Sequence, residues 1–143
     1  MLKSARTICA VTVSLALVFM VCGCAMFQRG PSDEQLLSEM LAGWVAAMGE
    51  GSVEKVMSFY SKNYVGGEGE GYDELEELLE QIVPALEQFD AEFKTDGTTI
   101  EIEGSKATLA PITLESSYGT IGITIEATKE GGAWLITSTE LEQ

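Results

Sequence analysis

The stretch AGWVAAMGEGSVEKVMSFYSKNYV, residues 42–65, decides the fold of this chain. It combines the end of one amphipathic helix, a glycine break, and a shorter helix that leads to a pair of tyrosines. Gly49 and Gly51 end the first helix, because glycine is unfavourable inside helices. Ser52 then supplies an N-cap oxygen for the second helix. The residues that share one face of this second helix are Val53, Val56, Met57 and Tyr60.

The first helix is predicted to begin at Ser32. Ser32 and Gln35 fit a capping box, and Asp33 and Glu34 suit the positive end of the helix dipole. Apolar side chains then recur at helical spacing. They are Leu36, Leu37, Met40, Leu41, Trp44, Val45 and Met48. The pattern predicts one long helix that packs by a single apolar face.

A third helix is predicted after the glycine-rich loop VGGEGEG (65–71). Asp73 with Glu76 fits its N-terminal cap. The side chains expected to face inward are Leu75, Leu78, Leu79, Ile82, Val83 and Leu86. Pro84 lacks an amide hydrogen, so we expect a kink or a break at that point.

From Phe89 onward the apolar period changes from 3.6 residues to 2, which indicates strands. The alternating residues are Phe89, Ala91 and Phe93, then Ile100 and Ile102, then Ile121, Ile123, Ile125 and Ala127. Turn signals separate the runs at Asp96-Gly97, Gly104-Ser105, Tyr118-Gly119 and Gly131-Gly132. Strict alternation is typical of an antiparallel sheet with one covered face and one wet face. Helices followed by strands predict an α+β domain, with the helices on one face of a meander.

Three phrases together resemble the nuclear transport factor 2-like superfamily, whose domains have a cystatin-like α+β fold. They are residues 42–65, SKATLAPITL (105–114) and EGGAWLITSTEL (130–141). The shared features are a tryptophan-bearing first helix, a short second helix that leads to tyrosine, and a last hairpin with Gly-x-Trp-x-Ile. The resemblance covers nearly all of residues 32–143. It implies three N-terminal helices packed on the concave face of a curled antiparallel sheet, often with a small-molecule cavity.

Several aromatic and methionine side chains are candidates for the lining of that cavity. They are Met40, Trp44, Met48, Tyr60, Tyr64, Phe93 and Trp134. The alternative interpretation is that they form only the core of a small domain, as such residues usually do at helical or strand spacing.

Enzymes of this superfamily commonly use an aspartate after the second helix, a histidine, or tyrosines that donate to an oxyanion. This chain has no histidine, and Glu68 and Glu70 are the carboxylates near the first of those positions. We interpret these two glutamates as a solvated acidic loop. The alternatives are a catalytic base and a weak calcium site, although the oxygen spacing matches no EF-hand loop. We predict no catalytic residue, no metal site and no cofactor.

The N-terminal residues indicate export. Two basic residues precede the apolar run ICAVTVSLALVFMV (8–21), as in a signal peptide. The run ends in VCGC (21–24), which resembles the lipobox of bacterial lipoproteins. That resemblance implies cleavage between Gly23 and Cys24 and lipid attachment to Cys24. A zinc site is excluded, because zinc sites repeat a pair of cysteines two to four residues apart.

Three segments follow from this interpretation: a signal peptide (1–23), a lipidated cysteine with a short tether (24–31), and a domain (32–143). One alternative is an uncleaved helix over residues 7–28, which is long enough for a hydrocarbon core of ~30 Å. Another is cleavage by a conventional signal peptidase. All three export the domain. We expect a protein of the bacterial cell envelope, anchored to the membrane with its domain on the periplasmic or extracellular side.

Charge excludes one class of partner. Without Lys3 and Arg6 of the signal peptide, six basic residues face 23 acidic ones, a formal net charge of −17. Nucleic-acid binding requires a cationic surface, so we predict none. The acidic residues Glu101, Glu103 and Glu126 are expected on the wet face of the sheet. Like charges clustered directly across neighbouring strands there oppose dimerisation through that face, so we predict a monomer.

Three classes of function remain. The sequence favours a lipid-anchored, non-catalytic domain that binds a small apolar ligand or an envelope protein. The second is an isomerase- or dehydratase-like enzyme with a carboxylate in its cavity, and the third is a structural envelope component.

Overall fold

The computed structural model describes residues 30–142. The predicted signal peptide (1–23), Cys24 and nearly all of the tether (24–31) therefore lie outside the described residues. The helices are α1 (Asp33–Glu50), α2 (Val53–Met57) and α3 (Tyr72–Gln88). The strands are β1 (Glu92–Lys94), β2 (Thr99–Glu103), β3 (Lys106–Ser116), β4 (Gly119–Glu130) and β5 (Ala133–Glu142). None of the helices within residues 30–142 is both long and apolar enough to cross a membrane.

The strands form one antiparallel sheet around the long strand β3. On one side of β3 lie β1 and β2, which pair with its two ends, and on the other side lie β4 and then β5. Gly131 and Gly132 join β4 to β5 with φ of 58° and 85°. Positive φ at both central residues is what a type I′ hairpin turn requires. The predicted α+β architecture, with helices packed on one face of an antiparallel sheet, is confirmed.

The core lies between α1 and the inner face of the sheet. The strand residues buried there are Ala107, Leu109, Ile112, Ile123, Ile125, Ala127, Trp134 and Ile136. The helical residues buried against them are Leu37, Met40, Leu41, Trp44, Ala47 and Met48 of α1 and Val56 and Met57 of α2. Burial of these apolar surfaces is the main favourable contribution to folding, at about 25 cal/mol per Å² removed from water.

The segment after α2 covers the outer edge of β5. Ser52 caps α2 as predicted, since its Oγ accepts the amide of Lys55 at 3.4 Å. The helix ends at Met57, however, and Tyr60 lies beyond it in a parallel bridge to Ile136. The expectation that Tyr60 is part of the second helix is therefore wrong. Its amide donates to the Met57 carbonyl in a turn, and the backbone groups of Phe59 and Ser61 on either side of it bond to Ile136.

Helix α3 departs from the prediction at its N-terminus. It begins at Tyr72, and the amide of Gly71 donates to the Glu74 carboxylate at 2.7 Å. The predicted cap by Asp73 and Glu76 is wrong by two positions. Nor does Pro84 break the helix, which continues to Gln88.

The inward face of α3 is narrower than predicted. Leu75, Leu79 and Val83 are buried, whereas Leu78 and Ile82 are 43% and 39% exposed. The helix packs mainly against α1 and α2 rather than across the sheet. A stripe of one residue per turn is enough for such a contact, so the prediction that Leu78 and Ile82 face inward is wrong.

The outer face of the sheet carries the predicted acidic residues, but in a different arrangement. Glu101, Glu103 and Glu126 are all exposed. Thr108 lies between Glu101 and Glu126 in the cross-strand row, and Glu103 pairs with Lys106. The premise that these glutamates lie directly opposite one another is wrong. Absence of a dimer stays a prediction.

A contact at the start of α1 ties the helix to the last hairpin. Asp33 Oδ1 accepts hydrogen bonds from Lys129 Nζ at 2.6 Å and from Trp134 Nε1 at 3.0 Å. These two donors hold the pKa of the Asp33 carboxyl below its ordinary value. The contact joins residues about a hundred positions apart, so local sequence patterns could not predict it.

Asp33 makes the stability of the domain depend on pH. A carboxyl whose pKa is lowered on folding contributes stability above its unfolded pKa of about 3.9, and this stability is lost as the pH falls through the folded pKa. We expect Asp33→Asn to lower the unfolding midpoint at pH 7, with a difference from wild type that shrinks below about pH 4. Chemical denaturation across this pH range measures the difference. Asp73→Asn, an exposed carboxylate in the first turn of α3, is the control. An Asp33→Asn effect independent of pH would contradict the account.

Candidate binding site

Four of the residues predicted to line a pocket, Trp44, Tyr60, Tyr64 and Phe93, form one connected cluster. Trp44 Nε1 donates to the Tyr60 hydroxyl at 3.1 Å. The Tyr60 and Tyr64 rings meet edge to face with centroids 5.3 Å apart, and Trp44 meets Phe93 in the same way at 5.1 Å. Such edge-to-face pairs contribute about 0.5–1.5 kcal/mol beyond simple burial.

Burial of this cluster keeps its phenols protonated. Tyr60 is 6% exposed and Tyr64 is 2% exposed. Burial raises the pKa of both phenols, and the hydrogen bonds from Trp44 to Tyr60 and between Tyr64 and Thr139 offset only part of the rise. Both hydroxyls are therefore neutral hydrogen-bonding groups at physiological pH and not bases.

Ser61 is a buried polar residue that sequence reasoning did not single out. Its Oγ donates to the Glu130 carboxylate, whose oxygens lie 2.8 and 3.0 Å away, and accepts the amide of Asn63 at 3.0 Å. The serine is fully buried. The hydrogen bond from the Asn63 amide to the Ser61 hydroxyl is a local turn motif that the sequence indicates only weakly. Nothing in the sequence indicates the distant partner Glu130.

Two of the predicted pocket residues, Met48 and Phe93, reach an open groove of about 620 Å³ where the C-terminal ends of α1 and α3 meet β1. We call it the helix-end groove. Its apolar lining is Met48, Val83, Pro84, Leu86, Ala91 and Phe93, and its carboxylates are Glu50, Glu87 and Asp90. The volume of the groove lies in the range of small-molecule sites, and its exposed surface is more polar than apolar.

Asp90 holds an unusual backbone conformation at this groove. Its φ is 49°, and it is the only non-glycine residue with positive φ in the described part of the chain. The amide of Asp90 donates to the Glu87 carbonyl at 3.3 Å and that of Ala91 to the Leu86 carbonyl at 2.9 Å. These two bonds form a Schellman motif, in which glycine usually occupies the left-handed position. An aspartate there costs conformational energy and places a carboxylate beside the groove, which is a reason to look for function at this residue.

Glu50 is already paired. Its carboxylate binds the Lys55 ammonium across the break between α1 and α2. The carboxylates of Glu87 and Asp90 form no ion pair within residues 30–142. Their negative charges are therefore less compensated than that of Glu50.

Comparison with solved structures identifies the fold. A protein of unknown function with a cystatin-like fold from Nostoc punctiforme aligns with a TM-score of 0.61 and 17% identity, over 77% of this chain and 90% of that one. A nuclear transport factor 2-like protein from Shewanella oneidensis aligns with a TM-score of 0.60 and 19% identity, over 78% and 100%. Aln2 from a Streptomyces species aligns with a TM-score of 0.62 and 14% identity, over 80% and 94%. The fold is the nuclear transport factor 2-like fold.

No protein-family model matches the chain, and no curated protein matches its sequence. At identities of 14–19%, the structural neighbours show the nuclear transport factor 2-like fold alone. They confirm the fold predicted from residues 42–65, 105–114 and 130–141.

The loop with Glu68 and Glu70 is more ordered than its glycine content indicates. The amide of Gly66 donates to the Glu70 carbonyl at 2.9 Å, and the amide of Glu68 donates to the Glu70 carboxylate at 3.1 Å. The carboxylate of Glu70 therefore closes its own loop, a constraint that the interpretation as a solvated acidic loop did not include. Lys62 lies over the Tyr72 ring, 3.7 Å from its centroid. The non-catalytic role of Glu68 and Glu70 stays a prediction.

Two predicted pocket residues, Met40 and Trp134, belong neither to the aromatic cluster nor to the groove. Met40 and Trp134 are buried in the core, and Tyr64 contacts Thr139 at its edge. No group of three or more potential metal ligands occurs within residues 30–142.

Proposed function

We propose that this chain is a lipid-anchored protein of the bacterial cell envelope whose domain binds, without catalysis, a small apolar ligand that carries a positive charge. The helix-end groove is the proposed site. The observation that carries the proposal is the combination of an apolar floor, which includes Met48 and Phe93, with the carboxylates of Glu87 and Asp90.

The charge of the groove selects the class of ligand. An anionic amphiphile would meet carboxylates, and the exported chain has a formal net charge of −17. A cationic head group beside Asp90 gains a favourable charge interaction, and the alkyl part of the same ligand can contact Phe93 and Leu86, which are only partly buried. Neither the charge interaction nor the apolar contact needs a chemically reactive group. The groove therefore favours a binding domain over an enzyme.

The interior supports a non-catalytic role in a second way. Polar groups there are paired with one another: Trp44 with Tyr60, and Ser61 with Glu130. In the described residues every buried side-chain nitrogen or oxygen has a hydrogen-bond partner. A general base needs a carboxylate or imidazole held against the substrate, and the carboxylates nearest the groove are exposed.

The anchor is proposed on the residues VCGC (21–24) and their resemblance to a lipobox. An acidic domain is repelled by an anionic membrane surface, so the lipid at Cys24 supplies the attachment. The tether of residues 25–31 spans at most about 23 Å, which keeps the domain near the membrane.

Thermal unfolding of a soluble form that starts at residue 25 tests the binding proposal. We expect octyltrimethylammonium, at about ten times its Kd, to raise the midpoint by roughly 5 °C, whereas octanoate leaves it unchanged. Ala91→Phe fills the groove and should abolish the shift. Ala46→Phe adds the same volume on the exposed face of α1 and should keep it. Equal shifts in both variants, or an equal response to octanoate, would contradict the proposal.

A further inference from the structure

The two edges of the sheet differ in how they are covered. At β5, residues 59–65 run beside the strand: the amide of Ser61 donates to the Ile136 carbonyl at 2.9 Å, and the amide of Ile136 donates to the Phe59 carbonyl at 2.8 Å. The amide of Val65 donates to the Thr137 carbonyl at 3.0 Å. This covering satisfies backbone groups that would otherwise attract another strand.

The opposite edge, at β2, is open. Within residues 30–142, β2 pairs with β3 alone. Gly104, with φ of 63°, and Ser105 close the hairpin between Glu103 and Lys106 as a two-residue turn. Such a turn makes its flanking pair a hydrogen-bonded pair, and the pairs then alternate. The amides and carbonyls of Ile100 and Ile102 therefore point away from the sheet.

Each side of this open edge borders a groove. On the inner side, a space of about 200 Å³ is lined by Ser38, Leu41, Ala42, Thr95, Thr98 and Ile100. On the outer side, a polar cleft of about 530 Å³ is lined by threonine and serine hydroxyls, by Lys106 and by three glutamates, so that, among the described residues, its acidic groups outnumber its one basic group; the glutamates are Glu101, Glu103 and Glu126. A strand added beside β2 would have side chains alternately in the two spaces.

We propose that β2 binds an extended segment of a partner protein as an added antiparallel strand, in which small apolar residues alternate with lysine or arginine. In an antiparallel pair, residues opposite one another share a face. Partner residues opposite Ile100 and Ile102 lie on the inner face beside α1, and are small and apolar. Those opposite Glu101 and Glu103 lie over the polar cleft, and are basic.

Charge complementarity is what selects a basic partner over a second copy of this chain. Pairing of β2 with β2 would bring Glu101 and Glu103 against the same glutamates of the other copy, and like charges across strands are destabilising. A basic segment reverses the sign of that interaction. The proposal goes beyond the helix-end groove and does not depend on a ligand there.

A peptide of seven residues, with valine and lysine in alternation and both ends capped, tests the proposal. The full-length protein in nanodiscs of neutral lipid is titrated with the fluorescein-labelled peptide, and anisotropy reports binding. We expect saturable binding that weakens as salt is raised, since screening acts on exposed charges. Glu101→Gln with Glu103→Gln should weaken it roughly tenfold, because each exposed charge pair contributes about 0.2–1 kcal/mol. Glu76→Gln with Glu80→Gln, which removes two exposed charges from α3, should not weaken it.

Two further variants separate strand addition from simple charge attraction. Ile102→Pro removes an outward amide that β3 does not use, and proline is tolerated at such edge positions. We expect it to abolish peptide binding with little change in the unfolding midpoint, whereas Ile102→Val retains binding. Equal binding by Ile102→Pro and wild type would overturn the proposal, and so would a concentration-dependent dimer that Ile102→Pro dissociates. Either result leaves the response of the helix-end groove to octyltrimethylammonium unaffected.

Discussion

The Cys24→Ser variant is expected to incorporate no labelled fatty acid and to accumulate as a larger precursor. The physical reason is that a thiolate is a far better nucleophile than an unactivated serine hydroxyl, which keeps its proton at neutral pH. Without the modified cysteine, the resemblance of residues 21–24 to a lipobox predicts that cleavage before residue 24 fails as well. Metabolic labelling followed by gel electrophoresis measures both effects.

Cys22→Ser is the matched control for this experiment. It removes a thiol two residues away and places serine at a lipobox position where serine is usual. We expect normal labelling and normal processing of this variant. Equal labelling of Cys24→Ser and wild type would contradict the anchor and favour an uncleaved membrane helix over residues 7–28.

The second large effect is expected from Trp134→Ala, which should lower the free energy of unfolding by about 3–5 kcal/mol, as truncation of buried aromatic residues does. Trp134 is 5% exposed on the inner face of β5, and its indole donates to Asp33. The variant leaves a cavity beneath α1 and also removes the contact that ties the helix to the last hairpin. Urea denaturation of the soluble form measures the loss.

Trp134→Phe is the control, because it retains an aromatic ring and loses the hydrogen bond to Asp33. An intermediate loss is expected from it. A loss below about 1 kcal/mol for Trp134→Ala would mean that the strand register differs by one residue, since such a slip moves every side chain to the opposite face.

The elements of this fold were predictable because their signals are local. Glycines after Met48, serine caps and the change from helical to alternating spacing identified three helices and a sheet. The superfamily resemblance added their arrangement. The predicted start of the first strand at Phe89 was wrong, because Phe89 caps α3 and the strand begins at Glu92. Errors arose in α3, where Leu78 and Ile82 have the spacing of buried residues. The width of the apolar stripe that becomes buried on α3 depends on the elements that pack against it, which are α1 and α2. The local sequence pattern contains no information about them.

The candidate site was less predictable for the same reason. Met48 and Phe93 were singled out as pocket residues, but the groove also needs Asp90 in a left-handed conformation. A glycine at that position would have indicated the helix end, whereas an aspartate gives no such signal. The pairs Asp33–Trp134 and Ser61–Glu130 join distant parts of the chain, so they depend on the finished fold.

Two-dimensional NMR of the soluble domain, titrated with octyltrimethylammonium, tests the central claim most directly. A charged apolar ligand in the helix-end groove predicts that the largest amide shifts fall at Met48, Asp90 and Phe93, while Ser61 and Ile136 change little. Shifts centred on Tyr60 and Tyr64 would contradict the claim, since the ligand would then enter the aromatic cluster. The absence of any saturable shift would contradict it as well.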